Sequence, residues 1–173
     1  HDIPNTVAGA SRGAARLGVW MFNVHCSGGF AMMKAAKEAA VETSAKSGIP
    51  QPLVIGVTVL TSIDQATLND DLRVEGSVAD QVVHFATLAK EAGLDGVVAS
   101  PHEIELIRAA CGSDFVIVTP GVRPAGADIA DQKRVMTPSE AVAKGSSYLV
   151  IGRPIIAAAD PKAAAQAIAK EIG

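Results

Sequence analysis

The stretch Leu53-Val54-Ile55-Gly56-Val57-Thr58-Val59 decides the fold, because it is a nearly continuous apolar run without regular polar alternation. Strands of this kind are buried on both faces, as in a parallel sheet that is covered by helices. Four further runs of the same character occur at residues 19–24, 96–99, 115–118 and 148–151. The sequence therefore predicts a parallel sheet of five strands.

Helical sequence fills the connections between these runs. Residues 29–47 and 78–92 have helical periodicity, and a glycine, Gly48 or Gly93, follows the basic last turn of each, as at helix ends. A repeat of strand, loop and helix places each strand parallel to the previous one. We expect one α/β domain over residues 1–173, either an open doubly wound sheet or part of a (β/α)8 TIM barrel. The periodicity does not choose between these two architectures.

Helix starts are predicted where a capping residue precedes a proline, at Ser100-Pro101, Thr137-Pro138 and Asp160-Pro161. The first two also have a glutamate three residues after the cap, which is the pattern of a capping box. A weaker signal of the same type begins at Ser77.

The composition restricts the class of protein. Fifteen Lys and Arg against eighteen Asp and Glu give the 173 residues a net charge of −3, and the chain has only six aromatic residues. This balance disfavours nucleic-acid binding. Two cysteines, Cys26 and Cys111, do not make a disulfide framework, which favours a reducing compartment. With no apolar run of membrane-spanning length and no secretory leader pattern, we expect a soluble cytoplasmic protein without membrane contacts.

Ligands of both candidate architectures bind at the carboxyl ends of parallel strands. The segments that follow the five apolar runs are rich in glycine, hydroxyl groups and arginine and contain no carboxylate cluster; they are residues 25–29, 60–62, 100–101, 119–124 and 152–154. This composition predicts an anion site, phosphate in particular. Gly152 and Arg153 carry the strongest signal, because glycine lets the backbone approach a ligand and arginine offers a bidentate donor. The alternative is a tight turn with a solvated arginine.

Two further segments are open to more than one interpretation. Residues 119–134 form a connection longer than usual, which is typical of a lid or binding loop, or alternatively of a tolerated surface insertion. Thr61 and Ser62 are placed either to hydrogen-bond a polar ring or to cap the next segment.

The start of the chain and the histidines give weaker signals. Asp2 on its own is better explained by stabilising the start of a helix that runs toward Ala15 than by catalysis. His25-Cys26 has no second ligand pair at metal-binding spacing, so we expect a packed, hydrogen-bonded histidine and a free thiol.

Taken together and in this order, six segments resemble the orotidine 5′-phosphate decarboxylase family, and its bacterial branch in particular. The segments are HDIPNT at residues 1–6, VTVLTS at 57–62, GLDGVV at 93–98, VTPGVRP at 118–124, DQKR at 131–134 and VIGRP at 150–154. The resemblance covers the entire chain, and the combination is far more specific than any one segment.

The resemblance implies a (β/α)8 barrel that forms a homodimer with active sites at the dimer interface. It also implies decarboxylation of orotidine 5′-monophosphate to UMP, in de novo pyrimidine biosynthesis, without a metal or an organic cofactor. In the family, the last acid of an Asp-x-Lys-x-x-Asp run reaches into the partner's site, and Asp2 matches that acid. Ile3 and Thr6 match neighbours that line or hydrogen-bond the partner's site.

The resemblance assigns the remaining site residues to two parts of the nucleotide. Thr61 matches a hydroxyl that contacts the pyrimidine. The positions that bind phosphate or belong to the lid are Arg123, Gln132, Gly152 and Arg153, with Gln132 linking the lid to the ligand.

The family's catalytic lysine, and the first Asp of the same run, would lie before His1. We therefore expect the five strands to be the fourth to eighth of the barrel, with roughly 60 to 90 residues upstream at about 30 residues per strand–helix unit. Residues 1–173 alone are predicted to be inactive and poorly soluble. Two alternatives remain open: a sugar-phosphate decarboxylase or aldolase of the same superfamily, which would need further carboxylates for Mg2+, and a non-catalytic barrel fragment that binds phosphorylated nucleotides.

Overall fold

The computed structural model describes residues 1–124 and 136–173. The strands in this part of the chain are β1 (Met21–His25), β2 (Leu53–Val57), β3 (Gly96–Val98), β4 (Val116–Pro120) and β5 (Tyr148–Val150). They form one sheet in the order β1-β2-β3-β4-β5, and every neighbouring pair is parallel. The predicted parallel sheet is confirmed, and each strand overlaps the run that predicted it.

Helices connect the strands and cover one face of the sheet. They are α1 (Pro4–Arg16), α2 (Phe30–Ser47), α3 (Val78–Glu91), α4 (Ile104–Cys111), α5 (Pro138–Ala143), α6 (Arg153–Ile156) and α7 (Pro161–Glu171). A 3-10 turn, Cys26–Gly28, follows β1, and a π-helical turn, Thr67–Asp71, lies between β2 and α3. No helix of the described residues is long and apolar enough to cross a membrane.

Most of the predicted helix ends are confirmed. Thr137 forms the capping box with Glu140 at the start of α5, and the side chains of Asp160 and Ser77 cap α7 and α3. Gly48 ends α2 in the left-handed conformation that glycine favours.

The helix start predicted at Ser100 is wrong. Helix α4 begins at Ile104, while the Ser100 carbonyl accepts from the amide of Glu103 at 3.1 Å and its hydroxyl accepts from the amide of His102 at 3.3 Å. Residues 100–103 therefore form a separate turn, because the same residues that cap a helix also satisfy a tight turn.

The hydrophobic core lies between the helices and one face of the sheet. Val54, Val97 and Ile117, on three neighbouring strands, are fully or almost fully buried in it, together with Met32 and Met33 of α2. Residues at alternate positions of each strand therefore face the helices, and the residues between them face the opposite side.

The sheet is strongly curved. Side chains stand roughly perpendicular to a sheet, so rings on β1 and β5 of a flat sheet would lie four strand spacings, or roughly 19 Å, apart. Instead the ring of Trp20, just before β1, meets the ring of Tyr148 at the start of β5 edge to face, with 4.9 Å between centroids. Val57 and Val118, on the face opposite the helices, are also buried. The curvature favours a barrel-type sheet over a flat open one.

Candidate active site

Three of the predicted site residues lie at one edge of the sheet. Thr61 follows the end of β2 by four residues, Arg123 follows β4 by three, and Gly152 follows β5 by two. Because all strands are parallel, their carboxyl ends lie at the same edge, where ligands bind in such folds.

The start of the chain lies beside the same edge. His1 Nδ1 is 2.9 Å from the hydroxyl oxygen of Ser27, which belongs to the turn directly after β1. The neighbouring Asp2 accepts a hydrogen bond from the backbone amide of Ile3 at 2.6 Å, and Ile3 is the N-cap of α1. Asp2, Ile3 and Thr6 are all exposed. The structure thus shows the local, helix-start contact of Asp2, and it leaves all three side chains accessible to a ligand or a second subunit.

Thr61 borders a cavity of about 460 Å3 between α3 and the turn before α4. Its lining combines apolar residues, such as Val59 and Val82, with polar residues that include Gln65, His102 and Glu103. The hydroxyl of Thr61 has no hydrogen-bond partner among the described residues, and Asp64 instead accepts from the amide of Thr67 at 2.9 Å. The capping interpretation of Thr61 is therefore wrong, and its hydroxyl is available to a ligand.

Arg123 is held in place by an extension of β4. Val122 forms a parallel β-bridge with Met136, and the backbone amide of Arg123 donates a hydrogen bond to the Met136 carbonyl at 3.0 Å. The guanidinium donates to the Val122 carbonyl at 2.9 Å, and the residue is only 8% exposed. A buried, backbone-anchored guanidinium is a fixed positive charge at this edge.

Gly152 is the N-cap residue of α6, and its carbonyl accepts hydrogen bonds from the amides of Ile155 and Ile156. The predicted strand-exit turn is therefore the first turn of a short helix, with Arg153 exposed at its first position. A Cβ atom at Gly152 would meet no atom within 4 Å. Packing among the described residues thus gives no reason for a glycine here, whereas close approach of a ligand to the backbone gives one.

Gln132, which is predicted to link a lid to the ligand, lies outside the described residues, and so does most of the connection 119–134 that contains it.

His25, which ends β1, and Cys26, which follows it, differ in how deeply they are buried. Cys26 is fully buried, and this burial raises the pKa of its thiol to about 12, so the predicted free thiol is confirmed as a protonated packing residue. The imidazole of His25 is half-buried but has no hydrogen-bond partner among the described residues, so the predicted hydrogen-bonded histidine is wrong. Residues 1–124 and 136–173 contain no cluster of three or more His, Cys, Asp or Glu arranged for a metal ion.

Glu103 lines the cavity beside Thr61, and the sequence alone did not identify it as a candidate site residue. Burial raises the pKa of its carboxyl group, while the Ser100 hydroxyl and the nearby His102 oppose that increase. Its sequence pattern predicts a capping box, and no local signal distinguishes a capping glutamate from one that is buried in a turn.

The fold is that of a parallel α/β protein with a curved sheet, and a buried guanidinium and a glycine-started helical turn lie at the carboxyl ends of its strands. A family model described as the Orotidine 5'-phosphate decarboxylase / HUMPS family matches residues 1–168. Proteins named orotidine 5'-phosphate decarboxylase from Moorella thermoacetica and Geobacter metallireducens are 63% and 60% identical to the chain over 172 residues. These matches span 99% of the chain and 68% and 71% of the two relatives. The chain belongs to the Orotidine 5'-phosphate decarboxylase / HUMPS family.

Solved structures agree with this assignment. The orotidine 5'-phosphate decarboxylase of Lactobacillus acidophilus superposes with a TM-score of 0.87 at 41% identity, over 100% of this chain and 72% of that one. The enzyme from Pyrococcus horikoshii superposes with a TM-score of 0.72 at 26% identity, over 99% and 69% of the two chains.

Proposed function

We propose that this protein is an orotidine 5′-phosphate decarboxylase, a carboxy-lyase that converts orotidine 5′-monophosphate to UMP in pyrimidine biosynthesis. The observation that carries the proposal is 63% identity to an enzyme of that name over 172 residues, a match that includes every segment at the carboxyl edge of the sheet. The fold agrees, since a solved enzyme of the same name superposes on the whole chain.

We propose that the substrate extends between two parts of that edge. We assign the phosphate to Arg123, Gly152 and Arg153, with Gln132 closing over it, and the pyrimidine to Thr61. β2 lies two strands from β4 and three from β5, so the two parts are roughly 10 to 14 Å apart along the sheet. An extended nucleotide with its phosphate at one end and its ring at the other fits this separation.

The proposed chemistry explains why phosphate binding matters. Loss of CO2 from C6 of the ring leaves a carbanion without an obvious electron sink, so the site must stabilise charge that develops in the transition state. We propose that a lysine ammonium group before His1, implied by the resemblance, stabilises this carbanion and then protonates it. Binding energy from the distant phosphate can be used to organise these charges around the ring. No metal or organic cofactor enters this scheme.

We further propose that β1 to β5 are the fourth to eighth strands of a (β/α)8 barrel, within one domain. The curvature of the sheet supports this proposal, and so does the fact that the chain spans about 70% of its relatives' length. In the described residues β1 and β5 each pair on one side only, so both present an edge to which further strands can be added.

The turnover of orotidine 5′-monophosphate tests the function directly. We expect the full-length cytoplasmic protein to form UMP and CO2 in equal amounts, and to do so after dialysis against a chelator. Residues 1–173 expressed alone are expected to form neither product, because the proposed proton donor precedes them. Absence of UMP formation by the full-length protein would refute the proposal.

We propose that Asp2 acts in the partner's site of a homodimer, together with Ile3 and Thr6. The exposure of all three side chains at the start of α1 supports this arrangement. The test mixes two inactive full-length variants, Asp2→Ala and one altered at the catalytic lysine that the resemblance implies upstream of His1. If Asp2 acts in trans, one site of each heterodimer has both wild-type residues and the other has neither, so activity returns. If subunits exchange but no activity returns, Asp2 acts within its own chain.

A further inference from the structure

Strand β1 presents His25 to the side of the sheet that faces away from the helices. Val24 belongs to the hydrophobic core between sheet and helices. A Cβ atom added to Gly56 would lie 2.5 Å from the sulfur of Cys26 and close to the side chains of Leu94 and of Ala89 in α3. Cys26 therefore also faces the helices. Since the residues before and after it face the helices, His25 faces the concave side.

The strand register places His25 at the end of an apolar row. It pairs with Val57, which pairs with Val98, which in turn pairs with Val118. Val57 and Val118 are 7% and 6% exposed, so the row of side chains beside the imidazole is apolar and largely buried. A polar group at that position is surrounded mostly by surfaces that offer it no hydrogen bond.

The imidazole nevertheless has no hydrogen-bond partner among the described residues, although it is half-buried. Ser27, two residues further along the chain, already contacts His1 at 2.9 Å. Removing an imidazole from water without giving it a partner costs free energy, and a ligand that accepts a hydrogen bond from it recovers that cost. His25 ends β1, so its ring lies at the same edge as Thr61 and Gly152.

We infer that His25 is a further ligand-contacting residue, which donates a hydrogen bond from its imidazole to an oxygen atom of the bound nucleotide. The inference rests on the proposed function, since the ligand is the nucleotide of that reaction. An orotidine or uridine monophosphate presents many acceptor oxygens, so a single N–H donor in an apolar wall orients the ligand as well as binding it.

The experiment compares three full-length variants with the wild type. His25→Leu removes the donor and keeps the bulk, and His25→Gln keeps a side-chain N–H. His84→Leu is the matched control, because His84 is exposed on α3. We expect His25→Leu to weaken UMP binding about tenfold in calorimetry, and we expect His25→Gln to recover part of the loss and His84→Leu to match the wild type.

A second measurement separates contact from a structural role. In ¹⁵N NMR spectra of the wild type, saturation with UMP is expected to shift the imidazole nitrogens of His25 and to leave those of His84 unchanged. If the wild type turns over substrate but the His25 resonances do not move, or if His25→Leu binds UMP within twofold of wild type, the inference is overturned. If the wild type neither binds UMP nor turns over substrate, the proposed function itself fails.

Discussion

The two ends of the sheet use polar residues in opposite ways. At the amino end, before β3, Asp95 accepts two hydrogen bonds from Lys37 at 2.6 Å and one from the amide of Val54 at 2.7 Å. Also at this end, the guanidinium of Arg108 donates to the backbone carbonyls of Gly112 and Gly145, which precede β4 and β5. At the carboxyl end, by contrast, His25 and Thr61 have no partner among the described residues.

This difference separates stability from function. Paired polar groups at the amino end hold strand starts and helices in register, which is the stabilising role expected of that face. We expect the unpartnered side chains of His25 and Thr61 at the carboxyl end to gain hydrogen bonds when a ligand binds. Substitutions at the amino end should therefore change the free energy of unfolding, and substitutions at the carboxyl end should change ligand affinity.

The largest effect is expected for Asp95→Ala. It leaves the Lys37 ammonium, whose side chain is only 14% exposed, without its partner, and this should cost about 3 kcal/mol of unfolding free energy. Urea unfolding of the full-length protein measures the loss. The control is Lys34→Ala, which breaks an exposed 3.9 Å pair with Glu38 and should change stability by less than about 1 kcal/mol. A weakened UMP affinity in folded Asp95→Ala protein would contradict the division between the two ends.

At the opposite end, Arg153→Ala should weaken binding of UMP by about 1.5 to 3 kcal/mol, because a charge-assisted hydrogen bond to phosphate is lost. Uridine, which has no phosphate, serves as the matched ligand and should bind both proteins nearly equally. Titration calorimetry with the two ligands measures the difference. Equal weakening of UMP and uridine would remove Arg153 from the phosphate site.

A smaller loss of stability is expected for Arg108→Lys. Lysine keeps the charge, but a single ammonium group cannot reach the carbonyls on both sides that the planar guanidinium joins. We expect a loss of about 1 to 2 kcal/mol in chemical unfolding, with kcat/KM of the folded protein unchanged. Wild-type stability in this variant would show that the contacts of Arg108 do not hold the strand starts together.

The smallest effect concerns Glu103 and pH. Burial raises the pKa of its carboxyl in the folded state above the unfolded value, so the folded state binds its proton more tightly. Its contribution to stability is therefore fully present below the unfolded pKa and is lost as pH rises through the folded pKa. Glu103→Gln should remove this dependence and slightly raise the melting temperature at neutral pH relative to wild type. A melting temperature that falls at neutral pH would mean that ionised Glu103 makes a stabilising contact.

Local features of the fold were predictable from sequence because they depend on neighbouring residues. The cap of α5 at Thr137 and the left-handed Gly48 each follow from the backbone groups within one turn of helix. The turn at Ser100 shows the limit of such signals, since one four-residue pattern is compatible with two local structures.

By itself, the sequence determined the alternation of strands and helices, the edge of the sheet at which a ligand is expected and the resemblance that pointed to the family. Only the tertiary structure decided that the sheet is curved, as the contact of Trp20 with Tyr148 shows. It also decided that Lys37 pairs with Asp95 and that His25 faces the concave side without a partner. The reason is physical: periodicity and capping are written in neighbouring residues, whereas these features join residues tens of positions apart, and their positions depend on how the whole sheet and its helices pack.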